Sequence, residues 1–178
     1  MKARPYRLLP AVLGLFPLLA LFAGTAALPA TLDGLHFLDP LAGRWEMDGT
    51  VQGKPVHYHA RGSWVLGRGW LQFSMTDATR PPAYAAQLYL GYDAQAGDYV
   101  AHWLDRYGAA GARVVGSGRR QGDTLLLTFP YADGAFRDTL TLAPDGRSGT
   151  LLLESQQPDR HWSSFARYRM RRCGGSRE

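Results

Sequence analysis

Residues 41–49 read Leu41-Ala-Gly-Arg-Trp-Glu-Met-Asp-Gly49 and give the first strong strand signal in the chain. Small or apolar side chains alternate with charged ones, which is the two-residue period of a β-strand with one buried face. The apolar face carries Gly43, Trp45, Met47 and Gly49, and the charged face carries Arg44, Glu46 and Asp48. We therefore predict a strand whose tryptophan is turned into a core.

The rest of the chain repeats this pattern. Short runs rich in Val, Leu, Thr, Tyr, Phe and Trp are separated by glycine-containing turns, as in a sandwich or a barrel. Strands are predicted at 41–51, 55–66, 69–77, 84–92, 98–106, 111–120, 123–130, 135–143, 148–156 and 160–171. No stretch after residue 41 keeps a helical period long enough for a crossover helix, so the strands are predicted to be antiparallel.

These strands favour a closed fold, because closure removes the exposed edges that an open sheet of this size would leave. We predict an all-β domain over 41–172, an antiparallel up-and-down β-barrel of about ten strands, with a β-sandwich as the alternative. Apolar residues within 28–40 recur at the spacing of one helical turn, which predicts a short helical lead-in against the barrel. Residues 173–178 are predicted to form a disordered tail.

Residues 1–27 have the composition of a secretory signal peptide. Basic residues precede an apolar run at 8–22, and small residues at 25–27 supply a cleavage site. The run contains Pro10 and Pro17 and is short for a bilayer span of ~20 residues, although a retained anchor is the alternative. We expect cleavage near Ala27, a periplasmic or secreted protein, and no stable membrane span afterwards.

Cleavage there leaves about 150 residues, which suits one domain with a real core. The net charge of the whole chain is +5, and it falls to about +2 once the three basic residues of the leader are removed. A nucleic-acid partner is therefore not predicted. The single cysteine, Cys173, excludes an internal disulfide.

The Gly43-Arg44-Trp45 segment resembles the Gly-x-Trp opening strand of lipocalin-like (calycin) β-barrels, and the last predicted strand carries arginines at 167, 169 and 171. In that family a last-strand basic residue packs over the opening tryptophan. The resemblance implies that Arg167 or Arg169 does so here, in a cation–π contact worth roughly 0.5–2 kcal/mol. Gly43, Trp45 and this arginine would then form a structural latch at the closed end of the barrel.

A second likeness lies in the centre of the chain. Leu90-Gly91-Tyr92-Asp93, followed by a turn and Tyr99-Val-Ala-His-Trp-Leu-Asp105, resembles the matching hairpin of a family of secreted bacterial proteins of unknown function. This likeness covers most of residues 35–171. It implies a fold and a site for a ligand, but no reaction.

A third, more distant likeness is to the haem-binding nitrobindin-type barrels, which open with Gly-x-Trp-x-Gly-x-Gly. Gly43, Trp45 and Gly49 match this motif, whereas Met47 stands at a glycine position. Nitrobindin-like proteins hold haem iron through a histidine near the chain's end, and His161 is the candidate here. Because of the departure at Met47, no cofactor is predicted, with haem as the alternative.

Metal and catalytic motifs are few. His57 and His59 alternate with Tyr58, so they share one face of a strand and could share a metal ion. No third ligand is evident from the sequence, and their face is opposite to Tyr58 and Trp64, which favours a solvated outer position. We therefore predict no metal site.

The segment Asp159-Arg-His-Trp-Ser-Ser164 contains the residue types of a hydrolase triad, but triad members normally come from separate segments. No nucleophile elbow, phosphate loop or dinucleotide fingerprint is present in the sequence. We therefore predict no catalytic residues.

Aromatic residues are abundant, with five Trp and nine Tyr. A ten-stranded barrel is wide enough to enclose a small ligand, and apolar walls with a few polar anchors suit a hydrophobic one. The alternative is that the rings fill the interior. The predicted ligand-binding residues are Trp64, Phe73, Gln87, Tyr89, His102, Trp103 and Trp162, with Gln87 or His102 as the polar anchor.

These observations predict an exported lipocalin-like protein that binds a small hydrophobic or amphipathic molecule in the barrel. The alternative is a non-enzymatic interaction or scaffold module whose outer face binds an envelope partner. Haem binding and an enzyme at the barrel mouth are the two remaining hypotheses.

Overall fold

The computed structural model describes residues 34–174 and contains ten strands. They are β1 Gly43–Val51, β2 Lys54–Val65, β3 Trp70–Asp77, β4 Ala85–Asp93, β5 Asp98–Asp105, β6 Val115–Gln121, β7 Thr124–Phe129, β8 Phe136–Leu142, β9 Ser148–Gln156 and β10 Trp162–Arg172. The predicted signal peptide, residues 28–33 of the lead-in and residues 175–178 of the tail lie outside the described part.

All ten predicted strands are present, and nearly all their ends lie within two residues of the prediction. The exception is the start of β6. A 3-10 turn at Gly111–Arg113 occupies the first residues of the predicted strand, and β6 begins only at Val115. The glycines at 108 and 111 suit a loop, because glycine weakens a strand interior.

The strands close into one antiparallel barrel. Each strand pairs with its neighbours in the chain, and β1 also pairs with β10, from Trp45 opposite Arg172 to Val51 opposite Ala166. The predicted all-β, up-and-down barrel is therefore confirmed, and the sandwich alternative is wrong. Within residues 34–174, no helix has both the length and the apolar character needed to cross a membrane.

Side-chain alternation puts the apolar face of each strand inside the barrel. In β3, Leu71, Phe73 and Met75 are buried, while Gln72 and Ser74 between them face outward. The same alternation in β7 buries Leu125, Leu127 and Phe129. The interior is therefore a packed apolar core built from every second residue of the strands.

The lead-in covers one end of the barrel, the base, where β1 begins and β10 ends. Residues 34–36 are helical, and a 3-10 turn spans Asp39–Leu41. Leu38 and Leu41 are completely or almost completely buried. The Tyr99 hydroxyl donates a hydrogen bond to the Gly34 carbonyl at 2.7 Å. The predicted short helical lead-in is thus present in its described part and closes the base.

Asp39 fixes the lead-in to the barrel. Its carboxylate accepts hydrogen bonds from Trp64 Nε1 at 3.0 Å and from an Arg68 Nη atom at 2.6 Å, and it lies 2.9 Å from His36 Nδ1. Partial burial alone would raise the pKa of Asp39, but His36 and Arg68 outweigh it and hold that pKa below its usual value.

Trp45 and Arg172 form a latch at the base. Trp45 is buried, and its indole N–H donates to the Leu41 carbonyl at 2.9 Å. The Arg172 guanidinium covers the indole ring and donates to the carbonyls of Pro40 at 2.7 Å and Ala42 at 2.6 Å. Gly43 has a φ of 123°, and a Cβ there would lie 2.8 Å from an Arg172 Nη atom, so this position requires glycine.

The expected latch arginine is therefore wrong. Alternate residues of β10 face opposite sides of the barrel wall, and Tyr168 and Met170 take the inner side. Arg167 and Arg169 consequently project outward and are exposed. Arg172 follows Met170 at the inward period, and at the end of the strand it reaches over Trp45.

Candidate functional site

The end opposite the base, the mouth, holds a tyrosine layer formed by Tyr58, Tyr84 and Tyr168. The hydroxyls of Tyr58 and Tyr168 share a hydrogen bond, and their ring centroids are 5.6 Å apart. The Tyr84 hydroxyl accepts from Trp103 Nε1 at 3.2 Å and lies 3.4 Å from Asp105 Oδ2, to which it donates. These contacts place hydrogen-bonding groups inside an otherwise apolar barrel.

Burial raises the pKa of all three hydroxyls above the ordinary tyrosine value. For Tyr84, the nearby Asp105 carboxylate raises the pKa further. The three groups are therefore neutral at physiological pH. They can donate and accept hydrogen bonds, but they do not act as bases.

Further aromatic rings lie at the mouth of the barrel. Tyr107 packs on Tyr84 with centroids 5.9 Å apart, and Tyr131 meets Phe136 at 5.8 Å. Tyr131 and Phe136 are half-buried, whereas Tyr107 is 79 % exposed. We call Tyr107, Tyr131 and Phe136 the mouth rings. They lie between the interior and the solvent.

Asp138 is the buried polar side chain of the barrel interior. It lies on β8 between Phe136 and Leu140 at the inward period, and only 3 % of it is exposed. Within residues 34–174, no cationic side chain forms an ion pair with its carboxyl group. Aspartate is almost never fully buried without such a partner.

A small internal cavity of about 20 Å³ adjoins Asp138. The apolar side chains around it are Leu41, Phe73, Leu88, Leu90, Leu127, Leu140, Leu151 and Met170. The volume is enough for one water molecule but not for a small organic ligand. Asp138 is the polar residue in this lining, so a molecule in the cavity would find its carboxyl group there.

Burial raises the pKa of Asp138 to about 7. The cause is the loss of hydration, because no charged or hydrogen-bonding neighbour offsets it. Near neutral pH the carboxyl group is therefore divided between a protonated form that donates and an ionised form that only accepts. Carboxyl groups with such a pKa are concentrated at functional sites.

Three predicted ligand-binding residues face inward, but they lie at different depths. Phe73 borders the cavity, and Trp103 belongs to the mouth through its hydrogen bond to Tyr84. Trp64 lies at the base, where its indole N–H donates to Asp39 and Arg68 stacks over its ring. Phe73 and Trp103 therefore lie in the same half of the barrel, whereas Trp64 lies in the latch region at the base.

The predicted polar anchors lie on the outer face of the barrel. Since Leu88 and Leu90 point inward, Gln87 and Tyr89 point outward, where Gln72 donates to Gln87 at 3.1 Å and to Tyr89 at 2.9 Å. His102 pairs across strands with Tyr89 and contacts the Ala112 carbonyl at 2.5 Å. Gln87, Tyr89 and His102 therefore do not line the interior.

Trp162 also lies outside the interior. The Arg137 guanidinium stacks 4.4 Å from the centroid of the Trp162 ring and forms an ion pair with Glu154 at 2.8 Å. All three side chains belong to the outer surface of β8, β9 and β10. The prediction that Trp162 belongs to the ligand site is therefore wrong.

A haem held by histidine inside the barrel would need one of the five histidines to face the interior. All of them lie within the described residues, and none is buried. His161 is exposed and pairs with Asp159. His57 and His59 are on the outer face, and the barrel interior is filled by the core. The residues present therefore do not fit a haem held by histidine inside the barrel.

A second concavity lies on the outer surface of β1, β8, β9 and β10. It is an open groove of about 930 Å³ that includes Asp48, Thr50, Thr150, Arg169 and Arg171. Its charged groups alternate in sign, since Asp48 pairs with Arg171 at 2.8 Å. This groove is open to solvent. Among the described residues, Met170 is the one that borders both the groove and the interior cavity.

Comparison with known proteins supports the fold. The crystal structure of Rv2717c from M. tuberculosis superposes with a TM-score of 0.54 at 16 % sequence identity, over 83 % of this chain and 99 % of that chain. At this identity the likeness shows a shared barrel fold alone. A search of family models found no match, and a search of curated proteins found none either.

Asp138 was not among the predicted site residues, although the sequence contains a signal for it. In 136–142 the residues Phe136, Leu140 and Leu142 share one period, and Asp138 occupies the second of the four positions on that face. A charged residue on an apolar face is unusual, because burial of an unpaired carboxylate is unfavourable. That single break in the alternation marks the site.

Proposed function

We propose that this protein is an exported, lipocalin-like barrel that binds a small amphipathic molecule at its mouth. The apolar part of the ligand packs among the aromatic rings, and its polar group hydrogen-bonds to Asp138. The observation that carries the proposal is Asp138 itself, a buried carboxyl group beside a cavity, with no ion-pair partner among residues 34–174.

The energetic argument favours a ligand over a purely structural role. Burying a carboxyl group in apolar surroundings without a charged partner costs about 1–3 kcal/mol, and a leucine at the same position would avoid this cost. The neighbouring Leu127 and Leu140 show that the surroundings accept apolar side chains. A ligand group that bonds to Asp138 compensates for the missing partner.

The ligand reaches Asp138 by displacing the mouth rings. Ligand sites usually enclose ≈ 300–1,000 Å³, far more than the cavity of about 20 Å³. Tyr107 is exposed, and Tyr131 and Phe136 are half-buried, so their rotation exposes less core than movement of the base would. Entry at the mouth leaves the latch of Trp45 and Arg172 in place.

Export to the periplasm or the medium is part of the proposal, and it rests on the leader at 1–27. Native mass spectrometry and solvent extraction of the protein purified from its own periplasm test both points. We expect a mature chain that begins near residue 28 and carries a co-purifying small molecule. An intact leader together with an empty barrel in repeated preparations would contradict the proposal.

A titration identifies the ligand chemistry. Single-chain amines, alcohols and carboxylic acids are added to the purified protein, and tryptophan fluorescence is followed because Trp103 lies at the mouth. We expect saturable binding of at least one class and a loss of at least tenfold in affinity for Asp138→Leu. Gln87→Ala, on the outer face, is the matched control and should bind like the wild type.

The outer groove supports a second candidate function, an interaction module for an envelope partner. Its alternating charges suit a polar protein surface more than an apolar ligand. Arg169→Glu distinguishes the two functions, since Arg169 is exposed in the groove on the outer face, whereas Asp138 faces the interior. Partner capture that is lost in Arg169→Glu and kept in Asp138→Leu would favour the interaction module.

A further inference from the structure

Three ligand-type side chains converge on the outer face of β1 and β2. Glu46 lies directly opposite His59 across the two strands, and His57 is two residues away on the same face. Glu46 Oε2 lies 3.0 Å from His57 Nε2 and 3.0 Å from His59 Nδ1. One nitrogen or oxygen atom from each of the three residues lies within 4.8 Å of the others.

A further pair of residues orients His57. Its Nδ1 lies 2.7 Å from Asp48 Oδ1, and the second oxygen of Asp48 accepts from an Arg171 Nη atom at 2.8 Å. When Nδ1–H donates to Asp48, the lone pair of Nε2 points toward Glu46 and His59. A carboxylate that holds a histidine in this way is a regular companion of metal-binding histidines, because it fixes the tautomer and the ring orientation.

We propose that Glu46, His57 and His59 bind a Zn²⁺ ion, with water in the fourth position. Two imidazoles and one carboxylate form a known zinc ligand set with an open position. Ligand atoms around a tetrahedral ion with bonds of about 2.0–2.2 Å are about 3.3–3.6 Å apart. The two contacts of Glu46 at 3.0 Å need to widen slightly, and the two imidazole nitrogens, which lie within 4.8 Å of each other, need to approach to that distance. The side chains are largely exposed and can move without disturbing the core.

Comparison with the other histidines shows what is special about this cluster. His36 pairs with Asp39 and His161 pairs with Asp159, one histidine with one carboxylate in each case. At Glu46 two imidazoles meet a single carboxylate, with their rings at 83° and their centroids 5.3 Å apart. One histidine is enough to form an ion pair with Glu46, whereas a metal ion would be bound by both His57 and His59.

Cys173 lies at the border of the cluster, with Sγ 3.7 Å from Glu46 Oε1. It does not belong to the group of mutually close ligand atoms. The fourth coordination position therefore goes to water, and the thiol is a neighbour of the site. Cobalt substitution tests this assignment, because a bound thiolate gives Co²⁺ an intense sulfur-to-metal charge-transfer band that nitrogen and oxygen ligands do not give.

The principal experiment is a competition titration of the untagged, chelator-treated protein with Zn²⁺. We expect one ion per chain. Affinity should fall at least 100-fold in His57→Ala and in Glu46→Gln, and it should fall similarly in His59→Ala. His161→Ala removes an equally exposed, aspartate-paired histidine and should stay within twofold of the wild type.

Asp48→Asn tests the orienting role. We expect a loss of about 10–100-fold in affinity with unchanged stoichiometry, as for other residues that hold a metal-bound histidine. Zinc should also raise the melting temperature of the wild type, since binding to the folded state alone stabilises it, and this rise should be absent in His57→Ala. Circular dichroism of each variant without metal checks that the barrel is intact.

The expected order of affinities is Cu²⁺ above Zn²⁺, with Mg²⁺ and Ca²⁺ unable to compete at millimolar excess, because the ligand set includes two imidazoles. Zinc affinity that is equal in the wild type and the double variant His57→Ala/His59→Ala would overturn the proposal. A charge-transfer band in the Co²⁺ protein that disappears in Cys173→Ser would also overturn it. Such a band would show that the Cys173 thiolate binds the metal, so the site would not consist of the three proposed ligands and water.

Discussion

The guanidinium carbon of Arg172 lies 5.8 Å from the centroid of the Trp45 ring. This distance is within the range of cation–π contacts. The same guanidinium bonds to the carbonyls of Pro40 and Ala42, so the last residue of β10 holds the first strand and the lead-in at once. This side chain and the indole beneath it therefore both contribute to the stability of the base.

Trp45→Ala should destabilise the protein by about 3–5 kcal/mol, because it removes a buried ring and leaves a cavity at the base. Urea unfolding followed by circular dichroism measures the loss. Ligand affinity at the mouth should change little in the folded fraction. A variant as stable as the wild type would show that the indole does not close the barrel.

Arg172→Ala should cost about 1–3 kcal/mol, since two hydrogen bonds from a charged group and the contact with Trp45 are lost together. Arg169→Ala is the matched control on the same strand. Its side chain is exposed on the outer face, and its effect should stay within about 0.5 kcal/mol. Equal effects in the two variants would contradict the assignment of the latch arginine.

Asp138→Leu should stabilise the unliganded protein by about 1–3 kcal/mol near pH 7.5, because a buried carboxyl group without a charged partner is replaced by an apolar side chain beside an existing cavity. Thermal unfolding measures the gain. The same variant should lose ligand binding. A large destabilisation instead would mean that Asp138 has a structural partner.

The stability of the wild type should depend on pH through Asp138. Its pKa is about 7 in the folded protein and about 3.9 in the unfolded chain, so the folded state keeps a proton that the unfolded state releases. This contribution is complete below about pH 4 and is lost as the pH rises to about 7.

Asp138→Asn isolates this contribution, because it does not titrate. Relative to that variant, the wild type should lose about 3 kcal/mol of unfolding free energy between pH 5 and pH 8. Urea titrations at the two pH values supply the difference. A constant difference would mean that the Asp138 pKa is not raised by burial.

Asp39→Ala should loosen the lead-in, since Trp64 and Arg68 lose their acceptor. We expect a loss of about 1–2 kcal/mol and faster hydrogen exchange at the amides of Leu41 and Ala42. Asp159→Ala removes an exposed carboxylate that contacts only its local turn and His161, and it serves as the control. Unchanged exchange at Leu41 in Asp39→Ala would contradict the role given to this carboxylate.

The barrel could be predicted because its signal is local. Most strands repeat a two-residue period over six or more positions, and the turns interrupt that period with glycine or another turn residue. The ligand-site prediction failed for two different reasons. Tyr89 lies between the inward Leu88 and Leu90, so the two-residue period itself turns it outward. Trp162 shares the period of the buried Ala166 and Tyr168, but a β-bulge between Ser164 and Ala166 reverses the alternation and turns it outward.

Contacts between strands that are far apart in the chain could not be predicted from the sequence. Which arginine covers Trp45 depends on the register of β1 against β10, where Trp45 lies opposite Arg172 and Arg169 lies opposite Asp48. The third member of the histidine cluster likewise depends on register, which puts Glu46 opposite His59. Periodicity gives the face of a residue, but only the pairing of strands gives its neighbours.

The pairing of β1 with β10 also determines when the protein can fold. The barrel cannot close until the final strand has been synthesised, because the first strand has its second partner only there. Contacts so distant in sequence slow folding, since a long loop must be ordered before they form. The nascent chain therefore cannot form the closed barrel before β10 is available to pair with β1.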